Sequence, residues 1–164
     1  GLESLATLAV RNPNIVVAKT FSKIYGLAGA RIGYAIAHPD SIQQLSNYQP
    51  WPNAAISIVS AAAAFTSLDD IKYVQNILTK TAEARVMCSK TFQQLALDFI
   101  PSQTNFILFN IDSIKKDLIK EMEAKNIFVQ SRQHFNGKWC RVTMGTLEEM
   151  KIFCTALNEV AYYG

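Results

Sequence analysis

Hydrophobic positions in the first part of the chain predict a helix followed by two short strands. Residues 14–18 form an apolar run rich in β-branched side chains, and residues 32–37 form another. Runs of this length and composition are typical of buried strands. Residues 1–10 place leucines and alanines mostly on one side of a predicted helix, which Pro13 ends. The pattern therefore predicts helix, strand, loop and strand in that order.

The next segment, residues 41–68, contains no charged residue. It is not a membrane span, because polar residues and prolines interrupt it and its continuous apolar part, 54–65, is shorter than the roughly 20 residues that a bilayer requires. We expect a buried helix over 54–65 with Asn53 as its N-cap. The loop before it holds Trp51 between two prolines, and it either lines a substrate entrance or a dimer contact or simply connects its neighbours.

Residues 67–96 carry apolar or small side chains at a nearly helical period, which predicts one long helix. Its predicted start is Ser67-Leu68-Asp69-Asp70, an acidic variant of the capping box. A helix of this length is expected to run between two domains. We therefore predict one domain over residues 1–66 and a second over residues 67–164.

The remaining sequence predicts alternating strands and helices. Residues 105–111 are apolar throughout, as in a strand covered on both faces, and Asp112 or Ser113 is the expected cap of a following helix. Residues 127–131 and 139–144 predict a hairpin. Thr146-Leu147-Glu148-Glu149 is a capping box for a final helix, whose expected inward side chains are Met150, Phe153, Leu157 and Val160.

Composition narrows the possible functions. Sixteen basic and thirteen acidic residues give a formal charge of +3, and the basic residues are scattered, so neither nucleic acid nor an anionic membrane is an expected partner. The three cysteines are far apart, which argues against a disulfide framework or zinc site and favours the cytoplasm. His38 and His134 are also far apart, so we expect no metal.

The loop between the first two predicted strands carries the strongest chemical signal. Lys23 and Arg31 lie near its two ends, and Gly26 and Gly29 give its backbone freedom to turn and pack closely. Two cations gathered in this way need an anion between them. An unprotonated lysine amine attacks aldehydes, whereas an arginine fork binds phosphate, and the hydroxyls of Thr20 and Ser22 would add donors to the same phosphate.

A phosphorylated aldehyde satisfies both cations, and pyridoxal phosphate is the commonest one. A strand, a turn and a strand with an exposed lysine is also ordinary surface structure. The spacing of the glycines matches neither the dinucleotide fingerprint nor the P-loop, which disfavours a nucleotide phosphate.

Residues 20–34 resemble the cofactor-lysine segment of fold-type I pyridoxal-phosphate aminotransferases. They are most similar to the histidinol-phosphate aminotransferase branch, in which Ser-Lys is followed by Gly-Leu, Ala-Gly and Arg-x-Gly. The resemblance covers nearly the whole chain but only the C-terminal part of such an enzyme. It implies an α/β fold: the end of a large cofactor domain with a mostly parallel sheet, then a small α+β C-terminal domain.

The resemblance also implies roles for single residues. Lys23 would bind the cofactor and act as general base and acid, while Arg31, Ser22 and Thr20 would hold its phosphate. The reaction would move an amino group between a small-molecule amino donor and a 2-oxo acid, in an enzyme that is a homodimer at full length. A decarboxylase of the threonine-phosphate type and a non-catalytic fragment of the fold are the alternatives.

A second candidate lies on the predicted strand 139–144. Period-two alternation places Arg141 mid-strand, where burial is costly unless an anion meets it. The anion is either a structural Asp or Glu or a ligand carboxylate. The segment resembles the family's Leu-Arg-Ile-Thr-x-Gly-Thr, whose arginine binds the substrate carboxylate. The resemblance further suggests that Arg132 touches the distal group of the substrate, although its surroundings depart from the family's Ile-Arg-Asp.

Overall fold

The computed structural model describes residues 3–49, 51, 56–134 and 137–162 of this chain. The chain divides into two compact units, Gly1–Val74 (unit 1) and Gln75–Gly164 (unit 2). The division falls inside a long helix, after its first turn, whereas the sequence places the domain boundary at residue 67. The assignment of domains stays a prediction, and each unit is described by itself below.

Unit 1 contains a two-stranded sheet with short helices before and after it. Strands β1 (Val16–Thr20) and β2 (Gly33–Ala37) pair antiparallel, with Thr20 opposite Gly33 and Val16 opposite Ala37. The first strand begins two residues later than predicted, and the second matches the prediction within one residue. The elements are α1 Ala6–Arg11, β1 Val16–Thr20, β2 Gly33–Ala37, α2 Pro39–Ser46, α3 Ile58–Asp69 and the first turn of α4 Ile71–Gln94.

Helix α2 is fixed at its N-terminus. Pro39 occupies the first turn, where the missing N–H costs nothing, and the backbone N–H of Asp40 donates to Nδ1 of His38 over 3.3 Å. The Ser41 hydroxyl donates to the carbonyl of Pro13 over 2.6 Å. This hydrogen bond connects α2 to the turn that precedes β1. It therefore fixes the position of α2 relative to the start of the sheet.

Helix α3 differs from its prediction in position and burial. It begins at Ile58, after Ser57, and the predicted cap Asn53 lies outside the described residues. Ile58 is 84% exposed and Phe65 is 74% exposed, so the prediction of a buried helix is wrong for this unit. An apolar composition shows that a helix has surface to bury, but it does not show that the same chain supplies the cover. None of the described helices is long and apolar enough to cross a bilayer.

The break between α3 and α4 lies three residues later than the predicted capping box. Ser67 is inside α3, where its hydroxyl donates to the carbonyl of Ala64 over 2.8 Å. Asp70 has non-helical dihedrals and its Oδ1 accepts from the N–H of Tyr73 over 3.0 Å. Asp70 is therefore the residue that starts α4, and the long helix predicted from the periodicity is confirmed as Ile71–Gln94.

Unit 2 is a four-stranded antiparallel sheet with helices on one face. The strand order is β3-β4-β6-β5. The predicted hairpin is confirmed as β5–β6, but β5 begins three residues later and β6 two residues earlier than predicted. All strand pairs in the described part of the chain are antiparallel. None of them therefore belongs to the parallel part of the sheet that the resemblance implies for the cofactor domain. After the rest of α4, the elements are β3 Phe99–Ile100, β4 Phe106–Asn110, α5 Leu118–Glu123, β5 Gln130–His134, β6 Gly137–Thr143 and α6 Leu147–Tyr162.

The core of unit 2 lies between its sheet and α4, α5 and α6. Phe92 of α4 stacks on Phe109 of β4 with ring centroids 4.5 Å apart, and both are fully buried. Burial alternates along β4, because Ile107 and Phe109 face the helices while their neighbours are only partly buried. The prediction that this strand is covered on both faces is therefore wrong.

The caps of the last two helices give one correction and one confirmation. Helix α5 is capped by Asp117, whose Oδ1 accepts from the N–H of Ile119 over 3.2 Å, and not by Asp112 or Ser113. The capping box of α6 is confirmed in both directions: the N–H of Thr146 donates to Glu149 Oε2 over 2.7 Å, and the N–H of Glu149 donates to Thr146 Oγ1 over 3.2 Å. The four predicted inward residues of α6 are buried.

Candidate functional site

The loop that carries Lys23 is clamped where it leaves and re-enters the β1–β2 sheet. The N–H of Phe21 donates to the carbonyl of Ile32 over 3.3 Å, which continues the strand pairing by one step. Phe21 is 4% exposed, and its ring lies 5.0 Å from that of Tyr25 and 5.7 Å from that of Tyr34. The loop therefore has a buried aromatic anchor at its base.

Two of the three glycines in this segment are required by the backbone. Gly26 has φ +69, and a Cβ there would lie 3.2 Å from the Tyr73 hydroxyl. A Cβ on Gly33 would lie 2.6 Å from the carbonyl oxygen of Lys19 on the paired strand. The prediction for Gly26 is confirmed. It is wrong for Gly29, whose φ is not positive and whose Cβ would have open space around it.

Lys23 lies in a closed turn inside this loop. Its carbonyl accepts from the N–H of Gly26 over 2.9 Å, and the N–H of Leu27 donates to the carbonyl of Phe21 over 3.0 Å. The residue itself is exposed. Backbone hydrogen bonds therefore set the position of Lys23, while its amine stays accessible to a ligand.

Arg31 adopts the left-handed conformation, with φ 51 and ψ 46. A non-glycine residue in this region costs roughly 1–2 kcal/mol, and such strain concentrates at functional sites. Its Nη1 donates to the carbonyl of Ala28 over 2.9 Å, which tethers the guanidinium to the last turn of the loop. Arginine has five N–H donors, so the remaining ones are available to an anion.

Thr20 and Ser22 form a hydroxyl pair at the start of the loop. The Thr20 hydroxyl donates to Ser22 Oγ over 2.9 Å, and the N–H of Ser22 donates back to Thr20 Oγ1 over 3.1 Å. The Thr20 proton is thus engaged, whereas that of Ser22 can be donated elsewhere. Of the two hydroxyls, Ser22 is the better placed to bind a phosphate oxygen.

The two arginines predicted to bind substrate share one cavity in unit 2. A volume of about 210 Å³ lies on the sheet face opposite the core. The strand register brings the two side chains together, because Arg132 pairs with Trp139 and Gln130 pairs with Arg141. The cavity is lined by Phe106, Leu108, Gln130, Arg132, His134, Trp139 and Arg141.

Arg141 makes an aromatic contact in this cavity. Its Cζ lies 4.2 Å from the ring centroid of Phe106, within the range of a cation–π interaction. No salt bridge to Arg141 occurs among residues 75–134 and 137–162. Within that part of the chain, the alternative of a structural Asp or Glu partner has no support. The ligand role of Arg141 stays a prediction.

Phe106 is a residue of this cavity that the sequence did not indicate. It lies on β4, far from Arg141 in sequence, and meets it only because Thr143 of β6 pairs with Phe106. The apolar run 105–111 gave the strand but not its register. The described residues thus form two groups of candidates, four on the β1–β2 loop of unit 1 and two in the cavity of unit 2.

Comparison with known proteins places this arrangement in a family. The family model for aminotransferase class I and II matches residues 2–157. Histidinol-phosphate aminotransferase 2 of Legionella pneumophila is 36% identical over 149 residues, which are 90% of this chain and 40% of that protein. Histidinol-phosphate aminotransferase of Symbiobacterium thermophilum is 33% identical over 147 residues, with 89% and 40% covered. The chain spans about 40% of the length of these curated relatives.

Solved structures agree with the family match. Histidinol-phosphate aminotransferase from Sinorhizobium meliloti, crystallised with pyridoxal-5'-phosphate, has a TM-score of 0.85 at 28% identity, with 96% of this chain and 44% of that chain covered. L-threonine-O-3-phosphate decarboxylase from Porphyromonas gingivalis has a TM-score of 0.74 at 22% identity, with 94% and 49% covered, and shows the fold alone. The predicted α/β fold class is confirmed, and the chain belongs to the aminotransferase class I and II family.

Proposed function

We propose that this chain is the cofactor-lysine and C-terminal part of a pyridoxal-phosphate-dependent aminotransferase. The whole enzyme would move an amino group between an amino acid or histidinol phosphate and a 2-oxo acid. The observation that carries the proposal is the β1–β2 loop, in which Lys23 and Arg31 extend from one segment clamped at both ends. The curated relatives named as histidinol-phosphate aminotransferases support histidinol phosphate as the amino donor.

The chemistry of the loop fits the proposed cofactor. An accessible primary amine suits an aldehyde, and a guanidinium with free N–H groups beside an available hydroxyl suits a phosphate dianion. Lys23, Arg31 and Ser22 supply these groups, and Thr20 orients Ser22 through their 2.9 Å hydrogen bond. When bound, pyridoxal phosphate supplies an electron-withdrawing ring that stabilises negative charge on the amino carbon of the substrate.

Lys23 would have two tasks. Its Nζ would hold the cofactor at the aldehyde carbon. As a free amine, the same Nζ would act as general base and then general acid in the proton shift that moves the amino group. The closed turn made by the Lys23 carbonyl and the N–H of Gly26 keeps the lysine backbone in place throughout. Both tasks need a flexible amine on a fixed backbone.

Arg141 and Arg132 would bind the anionic groups of the substrate. A guanidinium binds a carboxylate or a phosphate through two parallel hydrogen bonds. The contact with the Phe106 ring holds the Arg141 guanidinium at this cavity, and Arg132 adds a second cation to the same 210 Å³ volume. In an enzyme that acts on histidinol phosphate and glutamate, the same arginines would meet the phosphate of one substrate and a carboxylate of the other.

Two properties of the whole protein belong to the same proposal. We propose a homodimer, because helix α3 exposes the neighbouring apolar side chains Ile58, Val59 and Phe65. Exposed apolar patches often mark protein–protein interfaces. We propose a cytoplasmic location, because Cys88, Cys140 and Cys154 are free thiols.

The experiment that tests the function is cofactor trapping on the chain itself. Pyridoxal phosphate is added and the mixture is reduced with borohydride, which fixes any lysine–cofactor bond as a stable amine. Peptide mass spectrometry then locates the added mass, which we expect on Lys23. Lys19→Ala is the matched control, since it removes another exposed lysine from the neighbouring strand and should leave the labelling unchanged.

Lys23→Ala should abolish the specific label, and Ser22→Ala should weaken cofactor binding more than Thr20→Val does. Labelling spread evenly over several lysines would contradict the proposal. A product assay on protein that has not been reduced distinguishes the decarboxylase alternative. An aminotransferase forms a new amino acid from the 2-oxo acid, whereas a decarboxylase releases carbon dioxide.

A further inference from the structure

Two cysteines from distant parts of the chain meet inside unit 2. Cys88 on α4 and Cys154 on α6 are 66 positions apart in sequence, and their Sγ atoms are 4.0 Å apart. Cys88 is fully buried and Cys154 is 7% exposed. The amino-transfer chemistry proposed above uses neither thiol. Thiols placed this closely are candidates for reaction with each other.

We propose that Cys88 and Cys154 form a redox-sensitive dithiol, which a hydroperoxide converts reversibly into a disulfide joining α4 to α6. A disulfide needs an S–S distance of about 2.05 Å, so the sulfurs must approach by about 2 Å. The proposal requires rotation about the two Cα–Cβ bonds and small shifts of the helices to bring the sulfurs together. The inference is independent of the proposed function, because both residues lie in the core of unit 2.

The two thiols differ in a way that sets the order of the steps. The hydrogen bond between the two sulfurs and a side-chain hydrogen bond with Thr91 stabilise the Cys154 thiolate. Together they lower the pKa of Cys154 to about 7, although burial acts in the opposite direction. The same bond, together with burial, raises the pKa of Cys88. The thiolate is the nucleophile, so Cys154, which is also the more exposed, attacks first.

The reaction is balanced with hydrogen peroxide as the oxidant. The Cys154 thiolate attacks one peroxide oxygen, an S–O bond forms, the O–O bond breaks, and hydroxide leaves and takes a proton to become water. The Cys88 sulfur then attacks the Cys154 sulfenic acid, an S–S bond forms, the S–O bond breaks, and a second water leaves with the Cys88 proton. The two thiols lose two electrons in total, and peroxide gains them.

The third cysteine is an internal control. Burial raises the pKa of Cys140 to about 12, which keeps its thiol protonated and unreactive. Cys140 and Cys154 are much closer in sequence than Cys88 and Cys154. In an unfolded chain the shorter loop closes more easily, so random oxidation favours Cys140–Cys154, whereas the folded chain should favour Cys88–Cys154.

The test oxidises the reduced, folded chain with hydrogen peroxide and then blocks remaining thiols with N-ethylmaleimide under denaturing conditions. We expect loss of two of the three thiols, a cross-linked tryptic peptide containing Cys88 and Cys154, and return of all three thiols after dithiothreitol. Trypsin separates the three cysteines because it cuts after Arg85, Lys90, Lys138, Arg141 and Lys151. Three intact thiols, a link through Cys140, or irreversible oxidation of Cys154 without a link would overturn the proposal.

Cysteine variants test which two thiols form the disulfide and which of them attacks first. Cys140→Ser should leave the cross-link unchanged. In Cys88→Ser, the Cys154 sulfenic acid has no partner thiol and should be captured by dimedone, whereas Cys154→Ser should show no dimedone label on Cys88. Labelling of Cys88 in the latter variant would show that Cys154 is not the attacking thiol.

Discussion

The two units of this chain are built in opposite ways. Unit 2 has a continuous core in which Phe92, Phe109 and Leu157 are fully buried between one sheet and three helices. The buried residues described in unit 1 are mostly small, and Phe21 is the one large buried apolar side chain among residues 3–49, 51 and 56–74. Unit 2 therefore carries its own stability, whereas backbone hydrogen bonds hold the lysine loop of unit 1 in place. The candidates of the lysine loop therefore lie outside the main core, whereas Arg132 and Arg141 lie on the sheet that forms part of it.

The largest expected effect tests the core of unit 2. Phe109→Ala should lower the free energy of unfolding by about 3–5 kcal/mol, because it removes a fully buried ring that stacks on Phe92. Phe65→Ala makes the same chemical change on α3, where the ring is 74% exposed in the single chain, and should change the stability of the monomeric chain by about 0.5 kcal/mol or less. Urea unfolding of both variants measures the difference. Equal losses would show that α3 is packed.

The next effect concerns unit 1 and uses two glycines of the same loop region. Gly33→Ala should destabilise the β1–β2 pairing by about 1–3 kcal/mol, because its Cβ would lie 2.6 Å from the Lys19 carbonyl oxygen. Gly29→Ala, which meets open space at a φ that is not positive, should be nearly neutral. Amide hydrogen exchange of Val17 and Lys19 reports on this pairing directly. Similar protection in both variants would contradict the steric argument.

A smaller effect separates backbone strain from charge at Arg31. Arg31→Ala and Arg31→Gly both remove the guanidinium, but only glycine adopts φ 51 without strain. Arg31→Gly should therefore be more stable than Arg31→Ala by about 1 kcal/mol, while both should lose cofactor affinity equally. Thermal unfolding and cofactor titration measure the two properties separately. Unequal affinity would mean that the backbone conformation contributes to binding.

The smallest effect depends on pH. The Asn110 amide and the N–H of Lys138 donate to the Asp112 carboxylate and lower the pKa of that carboxyl. Because the folded pKa is below the unfolded one, this contribution to stability is fully present above the unfolded value and is lost as pH falls through the folded value. Asp112→Asn should flatten the stability profile of the chain in that acidic range. An unchanged profile would contradict the assignment.

Local signals in the sequence predict part of this structure well. Three confirmed predictions depend on residues that are near one another in sequence. They are the capping box at Thr146, the helical periodicity of α4 and the hairpin β5–β6. Two errors arise where the answer depends on distant residues. The burial of α3 depends on what covers it, and the one-sided burial of β4 depends on where the helices pack. The misplaced start of α4 is a local error, because the cap is Asp70, three residues after Ser67.

The candidate site follows the same rule. The four residues of the lysine loop are contiguous enough to be recognised from their spacing. The link between Arg141 and Phe106 needs the register between β4 and β6, which no local pattern contains. Arg132 joins the same cavity through the β5–β6 register.

The clamp at the base of the lysine loop has a consequence for redesign of the chain. Because Thr20 pairs with Gly33 and the N–H of Phe21 reaches the carbonyl of Ile32, both exits of the loop are held by main-chain atoms. Side chains between the exits, such as Ile24 and Ala30, can be exchanged without moving the anchor points. A library randomised at these positions would vary the surroundings of the amine while its attachment to the scaffold stays the same.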